Sequence, residues 1–300
     1  MQRLVFWMGY PFLWIISKLP FPLFYKVSDV VFFFVYYIFR YRRETVKKNL
    51  RLVFPERSET DLKRIEKVSM KHMVDMFLEM IKSISISEKE LKRRFKLKNI
   101  EAICEIESLN KNILLACGHY ASYEWMTALQ LYDIKYKGFG VYKKVKNPYF
   151  DKLASDIRGR YDGILIPTTE ATKTIARNEK KGIKGIYAMI ADQSPKLTKA
   201  KNWTNFIGIK APIFVGTEVL ARRLDMAVVY LQVEKVKRGF YEATFKTIST
   251  DPRNEEDFYI TKTYTQLLEN QIKEKPEYYL WTHKRWKHRN APIPDDAVVF

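Results

Sequence analysis

NILLACGHYASYEWMTALQ, residues 112–130, is the stretch whose reading decides the fold. Asn112 to Cys117 is a short apolar run in which Ile113, Leu114 and Leu115 suit a buried strand, whereas Glu124 to Gln130 favours helix. Gly118-His119 lies between them. Five positions separate two side chains by about 140° around a helix, so His119 and Glu124 cannot share a helical face and His119 belongs in the turn. A helix starting near Ala121 or Ser122 puts Glu124 in its first turn, where the dipole favours a carboxylate that folds back towards the imidazole. A neutral imidazole that gives its one N–H to a carboxylate keeps the other nitrogen free to take a proton from an attacking hydroxyl. His-x4-Glu recurs by chance. Its place at the carboxyl end of a strand, where functional groups of α/β proteins gather, gives it weight here.

The rest of the chain supplies further strands and helices around this unit. Ile134 to Tyr142, Ile164 to Ile166 and Gly185 to Ile190 read as strands, and Ala227 to Val233 with Tyr241 to Ile248 as an antiparallel pair joined near Gly239. Helices are expected over Thr45 to Leu52, Glu59 to Ser83, from Asn147-Pro148 to Arg158, after a cap at Thr168 or Thr169, over Thr217 to Arg223, and as an exposed closing helix over Asp257 to Ile272. Lys199 to Lys210 reads as a loop rich in lysine and aromatics, and His72 as a surface or boundary histidine among charged neighbours. The sum is an α/β fold with a mixed, largely parallel central sheet flanked by helices.

Three hundred residues with 53 Lys+Arg against 34 Asp+Glu give a formal charge of +19, which calls for an anionic partner surface: nucleic acid, acidic headgroups or an acidic protein. Two cysteines, Cys104 and Cys117, form no disulfide framework and no metal spacing, and Cys117 reads as a small core residue. No Walker loop, dinucleotide fingerprint, zinc signature or Gly-x-Ser-x-Gly occurs, so neither cofactor nor metal is expected. Leu4 to Ile16 and Val30 to Phe39 are apolar, but neither reaches the roughly 18 to 20 residues of a clean span. They read as two short helices broken at Pro20 and Pro22, with interfacial aromatics such as Trp7, Trp14 and Tyr37, stopped by Arg40, Arg42 and Arg43. This divides the chain into a membrane-attachment segment, residues 1–43, and a second domain, residues 44–300.

Polar groups cluster at other element ends. Lys143 leaves a strand, Asn147 precedes a helix whose end is Arg158-Gly159-Arg160, and Asp192-Gln193 ends the strand Gly185 to Ile190. Tyr278 to Arg289 interleaves aromatics and cations, as a nucleobase-stacking face does, but equally as an edge packed on the body with a basic rim.

Taken in order, the hydrophobic start, Tyr41-Arg42-Arg43, Asn49-Leu50 with Phe54-Pro55, Gly118-His119 to Glu124-Trp125, Tyr142-Lys143 with Asn147-Pro148, Arg158-Gly159-Arg160, Asp192-Gln193, Phe206-Ile207-Gly208 and Tyr279-Leu280-Trp281 are similar to the motifs of one family. The chain resembles the lipid A late acyltransferases of the lysophospholipid acyltransferase superfamily over nearly its whole length. The resemblance implies transfer of a fatty acyl chain from acyl carrier protein, or acyl-CoA, to a hydroxyl of a lipid A precursor. It implies His119 as general base with Glu124 as its partner, and Arg158 or Lys143 at the oxyanion or a phosphate. Lys143, Asn147, Arg158, Arg160, Asp192 and Gln193 are then the substrate-binding set. Acyl carrier protein, an anionic lipid acceptor and the membrane are the implied partners, without nucleic acid, and the inner membrane with the catalytic domain on its cytoplasmic side is the implied place. Where the family often has aromatic-Gly-Asn-Trp-Glu after its histidine, this chain has Tyr120-Ala121-Ser122-Tyr123-Glu124, and its Tyr-Arg appears as Tyr142-Lys143. These departures leave another lysolipid or an amino-acid lipid open as acceptor. A non-enzymatic basic binder of membrane surface or nucleic acid is the alternative of a different class, and the His119 and Glu124 pair is what it does not need.

Overall fold

In the computed structural model, which describes residues 2–300, ten α-helices surround two sheets. The helices are α1 (Gln2–Lys18), α2 (Phe21–Phe33), α3 (Arg43–Val53), α4 (Glu59–Lys82), α5 (Glu88–Arg94), α6 (Glu101–Ser108), α7 (Pro148–Arg158), α8 (Ala171–Lys180), α9 (Gly216–Leu224) and α10 (Tyr259–Glu274). The strands are β1 (Phe95–Leu97), β2 (Ile113–Cys117), β3 (Lys137–Tyr142), β4 (Ile164–Pro167), β5 (Gly185–Ile190), β6 (Asn202–Phe206), β7 (Ile209–Pro212), β8 (Ala227–Lys237), β9 (Phe240–Ser249) and β10 (Val298–Val299).

The main sheet has the order β1-β9-β8-β2-β5-β3-β4, parallel throughout except for the β8–β9 hairpin, which turns at Gly239 with φ +72°. The largely parallel sheet expected from the strand-helix alternation is therefore present. Its centre is β2, whose five residues are all buried because β5 and β8 flank it and α9 and α10 pack on it. Buried parallel strands have no solvent face, and hence read as continuous apolar runs.

Several expectations need correction. The strand expected from Ile134 begins at Lys137, and Ile134 lies in the turn before it. The lysine-rich loop 199–210 contains β6 and β7, an antiparallel pair that turns at Ile207 and Gly208, both with positive φ, and β10 pairs with β6 to complete a three-stranded sheet. Helix α8 starts after Glu170, with neither Thr168 nor Thr169 capping it. The closing helix α10 is not exposed: Ile260, Tyr264, Leu268 and Ile272, spaced by four, form a buried stripe against β2, β8 and β9. His72 is buried, with Nδ1 3.1 Å from Lys235 Nζ, since α4 packs on α2 and is met by Lys235, Arg238 and Tyr241 of the β8–β9 hairpin and its turn.

The N-terminal pair is helical as expected and breaks at Leu19-Pro20, but Pro22 sits inside the first turn of α2, where its missing N–H has no partner to lose. Residues 34–38 continue α2 as one π turn. Phe24, Ser28, Phe32 and Tyr36 form the face of this helix that packs on the body.

Candidate active site

Strand β2 pairs with β5 in parallel, with Cys117 opposite Ile190. Two residues beyond each strand end stand His119 and Asp192, so the register itself brings them face to face. Asp192 Oδ1 accepts from His119 Nδ1 at 2.6 Å and Oδ2 accepts from the His119 backbone N–H at 3.1 Å. With its proton on Nδ1, the ring presents a lone pair at Nε2, and the Gln193 amide N–H reaches that nitrogen at 3.3 Å. The Asp192 side chain is buried, while 18% of the His119 side chain is exposed, so the pair has a closed end and an open one. Tyr123 stacks edge-on against the imidazole with centroids 4.9 Å apart.

The electrostatics follow from that contact. Burial acts to lower the imidazole pKa, but the charge and hydrogen bond of Asp192 outweigh it and hold the ring above its usual range. Burial likewise acts to raise the Asp192 carboxyl, and the His119 ring and backbone N–H more than reverse it. His283 is the other imidazole near this pair, pushed down to about 4 by burial first, and its Nδ1 has no partner among the described residues.

The turn that carries His119 is held by chain from far away. A Cβ at Gly118 would lie 2.5 Å from the Cδ1 of Leu268 of α10, so a side chain there would force that buried leucine to shift. Tyr264, also of α10, donates its hydroxyl hydrogen bond to Cys117 O at 3.0 Å. Residues 278–281 then run alongside: Leu280 N–H donates to His119 O at 3.0 Å, and Ala121 N–H donates to Tyr278 O at 2.9 Å. Ala121 adopts φ +49°, a conformation that Ala tolerates poorly, and these two bonds help to fix it. The same strap is tied to α3 by Asn49, whose Nδ2 donates to Trp281 O and His283 O, each at 2.8 Å.

Glu124 does not fold back onto the imidazole. It stands in the first turn of a 3-10 helix, Tyr123–Leu131, and its carboxylate takes two hydrogen bonds from Arg158, at 2.9 Å from Nε and 2.7 Å from Nη2. The tighter 3-10 winding and the arrival of α7, whose last residue is Arg158, turn the side chain away from the place that Asp192 fills. Arg158 Nη1 remains outside this fork.

The other expected site residues separate into two groups. Asp192 and Gln193 meet His119. Asn147 instead caps α7, its Oδ1 accepting from Tyr149 N–H at 3.0 Å, and Arg160 donates to Ser83 O at 2.6 Å at the end of α4. Lys143 is exposed in the loop after β3. Cys117 is buried and its thiol is pushed up by burial, as a small core residue should be. In the 278–289 segment, Tyr279, Trp281 and Trp286 are buried, with Trp286 stacked on Phe206 at 5.8 Å, rather than presented to solvent.

The profile of the family described as bacterial lipid A biosynthesis acyltransferase matches residues 1–288. The chain belongs to this family. It is 23% identical to the lipid A biosynthesis lauroyltransferase of Escherichia coli (strain K12) over 289 residues, which cover 96% of this chain and 93% of that protein. It is 22% identical to lipid A biosynthesis acyltransferase 2 of Shigella flexneri over 260 residues, 85% and 80% of the two chains. The lipid A biosynthesis palmitoleoyltransferase of Escherichia coli (strain K12) is 20% identical over 300 residues, 97% and 93%. As a lipid A biosynthesis acyltransferase, the chain is an enzyme of acyl transfer. An accessible imidazole whose far nitrogen is held by a buried carboxylate is chemically fit to take a proton from a hydroxyl.

Proposed function

We propose that this enzyme moves a fatty acyl chain from the thioester of acyl carrier protein, or of CoA, to a hydroxyl of a lipid A precursor at the cytoplasmic face of the inner membrane. His119 Nε2 takes the proton of the acceptor hydroxyl while its oxygen attacks the thioester carbonyl. The C–O bond forms, the C–S bond breaks, and the imidazolium returns the proton to the leaving thiolate. Asp192 keeps the proton on Nδ1 and stabilises the imidazolium in between. Gln193 holds Nε2 until the hydroxyl displaces it. Glu124 acts through Arg158: by engaging Nε and Nη2 it leaves Nη1 to meet the developing oxyanion or an acceptor phosphate. Lys143, exposed beside α7, adds attraction for an anionic group.

The contact that carries the reading is the His119 to Asp192 hydrogen bond at 2.6 Å at the carboxyl ends of two adjacent parallel strands. The +19 charge supports anionic partners, both an acidic carrier protein and a phosphorylated lipid. Residues 1–43 serve as the attachment segment and residues 44–300 as the acyltransferase domain. Lipid mass spectrometry of the source cell with and without the protein tests this. Loss of one acyl chain from lipid A is expected. Unchanged lipid A with an altered lysolipid or amino-acid lipid would move the acceptor elsewhere.

A further inference from the structure

Among the described residues one helix is long and apolar enough to cross a membrane, the 18 residues Phe21–Ile38. At 1.5 Å per residue it measures about 27 Å, short of the roughly 30 Å hydrocarbon core, so a crossing would have to be upright and clear of charge. It is not clear of charge. Arg94 lies over the Phe21 ring at 3.3 Å, Tyr25 donates to Glu79 at 2.8 Å and Ser28 donates to Asp75 at 2.6 Å. Asp29, ninth of the 18 residues, pairs with Lys71 at 2.9 Å and with Arg238 at 2.8 Å. Near the far end Arg43, itself paired with Glu66 at 2.7 Å, covers the Tyr36 ring at 3.9 Å. The preceding corner is fastened too, Lys82 Nζ donating to Ser17 O at 2.6 Å and to Leu19 O at 2.5 Å.

Charged groups of the body therefore accompany α2 along its whole length. In an upright crossing Asp29, Lys71, Asp75 and Arg238 would lie near the bilayer midplane, where each charge costs about 3 kcal/mol even on the mildest insertion scale. The opposite faces of the pair are apolar and unpartnered: Leu4, Trp7 and Phe12 on α1, and Val30, Phe33 and Ile38 on α2 and its continuation, are all exposed. Exposed Lys18, Lys26 and Arg40 stand beside these faces, at positions suited to anionic headgroups. We infer that α1 and α2 lie flat in the interface of an anionic leaflet, with their outer faces in the acyl region and their inner faces on the protein, and that neither helix crosses the bilayer. This rests on the membrane-associated reading above.

The test uses the full-length protein with Cys104→Ser and Cys117→Ser, carrying one new cysteine at Lys18→Cys, at Leu19→Cys as a duplicate, or at Glu56→Cys as a marker of the body's side. A membrane-impermeant maleimide is applied to inside-out vesicles and to spheroplasts. The expected result is that the corner cysteines react in vesicles as Glu56→Cys does and are silent in spheroplasts. A corner cysteine that fails to react in vesicles while Glu56→Cys reacts overturns the inference and leaves membrane association standing. Protein that does not sediment with either membrane overturns both.

Discussion

Asp192→Asn removes one charge and almost no volume, which makes it the sharpest probe of the site. The carboxylate accepts from two donors, the His119 ring N–H at 2.6 Å and the His119 backbone N–H at 3.1 Å. Asparagine has one acceptor oxygen and an NH2, so if its oxygen keeps the backbone bond the NH2 faces Nδ1. That drives the ring proton to Nε2, where it blocks the base. The stabilisation of imidazolium is lost as well. For unit charges about 4 Å apart at an effective dielectric of about 20 this is worth about 4 kcal/mol, or roughly 10³ in rate. Turnover should fall by about 10³. The acid limb of the pH profile should also move. In the wild type it lies above the usual imidazole range because Asp192 overrides burial; in the variant burial becomes the largest influence, with Glu124 and Arg158 acting in opposite senses, and the limb should drop. The assay is thiol release from an acyl thioester donor with a lipid acceptor from pH 5 to 9, with folding checked by circular dichroism. Turnover within about threefold of wild type and an unmoved acid limb would refute the assignment of Asp192.

Arg158→Lys should lower kcat at least about tenfold, some 1.4 kcal/mol, because an ammonium on a flexible stem does not reproduce the planar fork that holds both Glu124 oxygens and fixes the direction of Nη1; equal kcat and KM would argue against it. Cys117→Ser should keep wild-type turnover, since the thiol is buried in β2; a loss above tenfold in a folded variant would give it a role in the chemistry. Glu79, raised from 4.5 to about 7 by burial and then by Asp75, contributes stability that is present below pH 4.5 and lost as pH rises through 7. Thermal melts at pH 5 and pH 8 should therefore differ less in Glu79→Gln than in wild type, by at most about 3 kcal/mol; an identical pH dependence would contradict the raised carboxyl.

The strand β2, the turn at Gly118-His119 and the polar end of β5 were legible because an apolar run and a change of period are local signals. That His119 and Asp192 meet was not, since they are 73 residues apart and only the neighbouring of β2 and β5 brings them together. Parallel strands joined through crossovers carry no short-range mark of which strand lies beside which. The five-residue spacing to Glu124 suggests a fold-back onto the imidazole, but the 3-10 winding and Arg158 at the end of α7 give the carboxylate a different partner. The burial of His72 is hidden from the sequence for a related reason. Its charged neighbours suggest a surface, yet Asp75 and Glu79 on α4 are themselves buried and satisfied by Ser28, Arg238, Tyr25 and Tyr241 from distant segments.

The most direct test of the account is a reconstitution with purified protein, acyl carrier protein bearing a labelled fatty acyl thioester and a lipid A precursor, read by mass spectrometry of the lipid. Wild type should add one acyl group as an alkali-labile ester with release of one thiol, and folded His119→Ala should do so about 10² to 10⁴ more slowly. Equal product from His119→Ala and wild type would contradict the assignment of the base.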